Sequence, residues 1–245
     1  MARITKERLF YFLLALVITA CVYWGFFYTY LGPRLGSGEA PNLPTPVHIH
    51  GLSFLAWYAL LLIQALLVVT GGIKMHRWMG GASIALVIVM VASGLVVLGV
   101  RMRAGLDGSE PFWTNFSLAV LSNLVLFTVF FVLAILKRNR PASHRRLIIV
   151  AAATGSGAAI FRIFMVLIGP GAFIPPAGIL ATNLFILAAM IGDKAITGKV
   201  HSVYRIGLPV AIVVELALMG LAFTEPGVAF QRAMVSLLEP VLSLY

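Results

Sequence analysis

Seven long apolar runs dominate this chain, at about 9–31, 50–70, 79–100, 116–136, 146–168, 174–192 and 204–223. Each is close to the roughly 20 residues that a helix needs to cross a hydrocarbon core about 30 Å thick. Backbone in hydrocarbon must satisfy its own hydrogen bonds, so such runs are helices. Composition agrees. Only 11% of residues are charged and the mean hydropathy is +1.02, whereas a soluble domain carries about 25% charged residues. The runs fill most of the 245 residues. The chain therefore reads as all-α, one integral membrane bundle of about seven helices spanning residues 1–245. Too little polar sequence remains for a soluble catalytic domain.

The formal charge of +10 follows the distribution that the positive-inside rule describes. With the N-terminus in the cytoplasm, 13 of the 18 Lys and Arg lie inside: Arg3, Lys6, Arg8, Lys74, Arg77, Lys137, Arg138, Arg140, Arg145, Arg146, Lys194, Lys199 and Arg205. Arg34, Arg101, Arg103 and Arg232 lie outside, and Arg162 falls within a run. The expected topology is N-terminus in and C-terminus out, in a bacterial cytoplasmic membrane. The expected partners are membrane lipids and a membrane-protein partner or second copy. No basic patch with interleaved aromatics points to nucleic acid. The single cysteine, Cys21, excludes an intrachain disulfide and a multi-cysteine metal site. Ile18-Thr19-Ala20-Cys21 resembles a lipoprotein signal box, but the apolar run continues through Phe27, longer than a cleaved signal segment.

Between the runs, loop 32–49 is rich in Gly and Pro and is expected to pack over the outer mouth. Loop 101–115 carries Asp107, Glu110, Pro111 and Trp113, and loop 169–176 is short. The tail 224–245 places Phe230, Met234, Leu237 and Val241 at helical spacing, interrupted by Pro240. That pattern predicts an amphipathic helix on the outer face or a segment that docks a partner.

Chemistry concentrates in two groups. His76, His144 and His201 each precede a long apolar run in a short basic segment: KMHRWMGG, ASHRRLII and KVHSVYRIG. With Asp193 they form an inner group at the cytoplasmic ends of the runs. Three imidazoles and a carboxylate are donors for Zn²⁺ or another divalent metal. Contact with backbone or lipid headgroups is the alternative use, and the neighbouring basic residues oppose a bound cation. The second group lies within the apolar runs: His50, Gln64, Asn123, Arg162, Asn183 and Glu215. Of the pair His48 and His50, only His50 is expected to face inward. Arg162 lies about 16 residues into the fifth run, roughly 24 Å from its inner end. Ionisable groups at such depth face the bundle interior or a wet cavity. Arg162 shares a face with Gly155, Ala158 and Ala159, and Glu215 with Gly207 and Ala211, surfaces suited to close helix contact. An Arg162–Glu215 ion pair is the expectation, either locking the bundle or serving a substrate or proton.

Haem is a weaker expectation than a divalent metal. His50 and His76 are 26 residues apart, about 39 Å on a continuous helix, so one helix cannot present both to one haem. A haem held between helices at one mouth stays open. No phosphate-binding Gly loop or nucleophile elbow is present.

The segments HIHGLSFLAWYALLLIQ, MHRWMGGASIALVIVMVASG and SHRRLIIVAAATGSGAAIFRIF, over residues 48–168, resemble a family of predicted bacterial polytopic membrane proteins of unknown function with a histidine-rich, multi-helix core. The resemblance rests on His50, Gln64, His76, Arg77, Gly80, His144, Arg145 and Arg162, and DKAITGKVHSVYRIG is similar to a recurring ending in related proteins. The family pattern has Trp where this chain has Leu147. The resemblance implies a polytopic bacterial membrane protein and carries no reaction. Three functions follow as expectations. The first is a transporter-like, sensor-like or accessory subunit with a polar intramembrane site. The second is a metal- or haem-dependent redox enzyme using the histidines. The third is a pH-responsive element, since imidazoles titrate near neutrality.

Overall fold

A computed structural model describes residues 5–35, 43–169 and 174–244. The described residues form helices and turns, with no strand among them. The first helix, α1 (Lys6–Phe26), starts at Thr5, whose hydroxyl accepts from Arg8 N–H at 3.3 Å. It continues as a π-turn over Phe27–Leu31 into the short α2 (Gly32–Leu35). α3 (Thr45–Thr70) ends at Gly71, whose φ of 86° needs a residue without a Cβ. α4 (Ile73–Leu106) has 34 residues and so spans about 51 Å. It overruns a bilayer core at both ends, exposing His76 and Arg77 at one and Arg101 and Arg103 at the other. α5 (Phe112–Leu136) follows after a tight turn.

Breaks then begin. α6 (Pro141–Gly155) and α7 (Gly157–Ile168) are bent by 44° at Ser156. α8 (Ile174–Ala181) and α9 (Asn183–Thr197) meet at Thr182. α10 (Ser202–Leu221) contains Pro209, and α11 (Glu225–Leu242) closes the chain. Six stretches are long and apolar enough to cross a membrane, and the bent α6–α7 pair makes seven. These match the seven expected runs. Bulky apolar side chains such as Ile88, Ile191, Ile206 and Val213 are more than 60% exposed, a surface that soluble monomers rarely carry and that lipid would cover. Basic loops gather at one end of the bundle, called the basic end below. The expected packing of loop 32–49 concerns residues 36–42, which lie outside the described residues, as do 170–173 of loop 169–176.

α5 runs through the interior, against α4, α6 and α10. Its Phe127 meets Trp57 of α3 edge-on at 4.8 Å, and Ala151, Ala152 and Ala153 of α6 are fully buried. The small residues let the helices approach closely. One such contact is Gly25 of α1 against Ala159 of α7: a Cβ on Gly25 would lie 2.9 Å from Ala159 Cα. The predicted small face around Arg162 is thus a helix contact.

The tail departs from its expected pattern. α11 packs along α4 and α5, and its buried stripe is Gly227, Gln231 and Leu242, with Met234 and Val235 partly buried. Phe230, Leu237 and Val241 are exposed. The buried stripe is the less apolar of the two, and a polar residue anchors it. Gln231, fully buried, donates to Thr114 O (2.9 Å) and accepts from Ser117 Oγ (2.8 Å).

Candidate functional site

The expected inner group does not assemble. Among the described residues no three His, Cys, Asp or Glu side chains converge as a metal-holding set. The four residues separate into two arrangements. In the first, buried Asp193 of α9 forms an ion pair with Arg146 of α6, whose Nε donates at 3.1 Å. Asp193 also accepts from the backbone N–H of His201 at 2.9 Å and lies 3.5 Å from Tyr11 OH. Tyr204 OH donates to Tyr11 OH at 3.3 Å. Glu7 of α1 pairs with Arg145 and lies 3.6 Å from Arg146. This network ties α1, α6, α9 and α10 together. The Asp193 carboxylate is occupied by a guanidinium, which leaves it unsuited to a metal. His201 caps α10, its Nδ1 accepting from Val203 N–H at 3.2 Å. Burial and the nearby Arg146 pull its pKa below the ordinary value.

In the second arrangement, His76 of α4 and His144 of α6 stand edge to face with ring centroids 6.5 Å apart. His144 Nδ1 lies 2.8 Å from Ala134 O. A carbonyl only accepts, so Nδ1 carries the proton and Nε2 keeps its lone pair. Gln64, expected with the intramembrane group, joins this pair instead. In the amide orientation that satisfies both ends, its oxygen accepts from Gly80 N–H at 3.1 Å and its NH₂ donates to His76 Nδ1.

The intramembrane group also divides. No salt bridge joins Arg162 and Glu215 among the described residues, contrary to expectation. Arg162 donates to Ala158 O (2.6 Å) and stacks on Phe26 at 4.7 Å. His50 Nδ1 donates to Met90 O (3.0 Å), beside Gly94, where a Cβ would come within 2.9 Å of the ring. His48 is not turned away: its Nδ1 lies 3.2 Å from Tyr30 OH. The two half-buried imidazoles thus face different neighbours, the π-turn after α1 and helix α4.

Glu215, Asn183 and Asn123 form the second part. Glu215 is fully buried in α10, accepting from Asn183 Nδ2 at 2.6 Å and lying 3.5 Å from Thr182 Oγ1. Phe116, Ala119 and Ile179 pack in one cluster with Met219. From this cluster, Asn123 is one turn along α5, Asn183 one turn along α9, and Glu215 one turn back along α10. α5 and α9 run toward the basic end and α10 away from it, so all three steps go the same way. The three polar residues therefore share a level. The Asn123 amide abuts Gly157, just past the α6–α7 break, and Thr182 marks the α8–α9 break.

This layer is under-satisfied. Both amide atoms of Asn123 and the Oδ1 of Asn183 are buried without a hydrogen-bond partner, although each residue is only 5% exposed. Buried polar groups are almost always paired, so such orphans call for an explanation. The carbonyls freed by the helix breaks are otherwise used: Tyr58 OH donates to Ala152 O (2.7 Å), and Asn183 Nδ2 to Leu180 O (3.2 Å).

Sequence reasoning named Asn123, Asn183 and Glu215 but missed Thr182, Ser156, Tyr58 and the Tyr11–Tyr204 pair. The run Thr154-Gly155-Ser156-Gly157 was a signal for the first break, since Gly/Ser pairs are a common cause of kinks. Nothing comparable marks Thr182. Comparison with protein-family models, curated proteins and solved structures finds no match.

Proposed function

We propose that this chain is a transporter-like multi-pass membrane protein whose working site is the layer of Asn123, Asn183 and Glu215. The carrying observation is a fully buried carboxyl with no cation beside it among the described residues, bonded at the α8–α9 break and near two amides with unpaired atoms. A carboxyl in hydrocarbon without a counter-charge takes up a proton or a small cation. Interrupted helices around a mid-membrane polar group are the arrangement transporters use for coupling ions and substrates. The amide oxygens of Asn123 and Asn183 and the Glu215 carboxylate are hard donors, suited to H⁺ or Na⁺ rather than to a soft metal. The proposed setting is a bacterial cytoplasmic membrane with the basic end inside.

The test uses purified protein reconstituted in liposomes. Infrared difference spectra on a pH step should show a protonated-carboxyl band that Glu215→Gln removes, or Na⁺ should raise the wild-type melting temperature but not that of the variant. A wild-type protein with neither response would overturn the reading.

A second reading has its own observation. His144 directs Nδ1 to a backbone carbonyl and leaves Nε2 free, the arrangement of a metal-ligating imidazole with an orienting partner. With His76 it offers two ligands of a redox or structural metal at the basic end. Elemental analysis of untagged protein decides it: about one equivalent of metal per chain, lost in His144→Ala, supports it, and a metal-free wild type rejects it.

A further inference from the structure

Without the pair expected between them, Arg162 is left with a charge to account for. It lies six residues before the end of α7, about 9 Å along the axis, in the half of the bundle away from the basic end. Its side chain is half-buried. Nη1 is anchored on Ala158 O, and the guanidinium face rests on Phe26. The other N–H donors of the fork have no hydrogen-bond partner among the described residues. Among the described residues no carboxylate forms an ion pair with it. The charged groups near enough to act on it are Arg101, also a cation, and the His50 imidazole. Arg101 cannot bring its own acid along, because Glu110 is held to Arg101 by two contacts of 2.8 Å.

An arginine inside a membrane bundle is costly unless paired. Here the cation is fixed in place by stacking and one backbone bond, and its remaining donors have no partner among the described residues. A planar fork held this way matches an oxyanion, which accepts two parallel N–H bonds. We propose that Arg162 anchors an oxyanion-binding site in this half of the bundle, occupied by a lipid headgroup phosphate or by a small soluble phosphate or carboxylate. The site is separate from the Glu215 layer and stands whether or not that layer binds a cation.

Phenylglyoxal labelling of wild-type protein, read at Arg162 by mass spectrometry, tests this without altering the chain. Protein in a maltoside detergent is stripped of lipid and labelled with and without inorganic phosphate or succinate at constant ionic strength. At about ten times the Kd, either anion should slow labelling of Arg162 about tenfold, with Arg232 as an unaffected control. Protection by the soluble anions assigns a free ligand. Protection only in nanodiscs of phosphatidylglycerol, and not in detergent with phosphate, assigns the headgroup. Equal labelling of Arg162 under all conditions overturns the proposal. As a second arm, anion- or lipid-dependent thermal stabilisation should vanish in Arg162→Gln and partly return in Arg162→Lys. Stabilisation that persists undiminished in Arg162→Gln also overturns it.

Discussion

A ring nitrogen closes the entrance of α10: His201 Nδ1 accepts from Val203 N–H. Only the neutral imidazole can do this, since both nitrogens of the protonated ring are donors. Burial and Arg146 hold the folded-state pKa of His201 below its ordinary 6.5, so the unfolded chain takes the proton first. The contribution of the neutral ring is therefore whole above about pH 6.5 and is lost as pH falls from there toward the folded pKa. The protection factor of the Val203 amide, its exchange corrected for the intrinsic pH dependence, should fall as pH is lowered from about 7.5 to about 5.5, and His201→Asn should abolish that fall. A pH-independent wild type would remove this role. Asp193 makes a second residue-scale prediction. Arg146→Ala leaves a buried carboxylate without its partner, which costs about 3–5 kcal/mol, and should lower the melting temperature more than Arg145→Ala, whose partner Glu7 is part exposed. Equal effects would show that the buried pair is no stronger a lock than the surface one.

Among the elements, the breaks and α11 carry the unexpected behaviour. A continuous apolar run gives no reason for α6 to bend by 44° at Ser156 beyond its flanking glycines. The bend leaves Gly157 open to the Asn123 amide, a place a Cβ would fill. α11 is tied down by buried Gln231 and by an ion pair of its Glu239 with Arg103 of α4 at 3.8 Å. Gln231→Leu removes both of its bonds and strands the Thr114 carbonyl and Ser117 hydroxyl, at a cost of about 1–3 kcal/mol. Limited proteolysis in detergent should then cut within 225–242 while the rest of the chain stays intact. Resistance equal to wild type would mean that the apolar stripe and the ion pair dock the helix without Gln231.

At the scale of the molecule, the proposed orientation rests on the distribution of charge. In a Cys21→Ala background, Asn139→Cys at the basic end should react with impermeant maleimide only after cells are opened, and Ser109→Cys at the other end should react in intact cells. The reverse pattern would invert the proposed topology. The seven apolar stretches were legible in the sequence because hydrocarbon permits only long apolar helices, although α4, Ile73–Leu106, overruns the expected 79–100 at both ends. Glu215, Asn123 and Asn183 were legible too, since polar groups stand out in such runs. Their partners were not. Arg162 and Glu215 looked like a pair because opposite charges at depth attract, yet each helix turns its residue toward a different neighbour: Phe26 for one and Asn183 for the other. The histidines looked like one metal site because they share an end of the bundle, yet sequence says nothing of rotation about a helix axis. Hydropathy alone determined which stretches of this chain are helices long and apolar enough to cross a membrane. Only tertiary packing decided which polar groups meet, because that depends on helix facing, on two breaks and on where small residues let backbones touch.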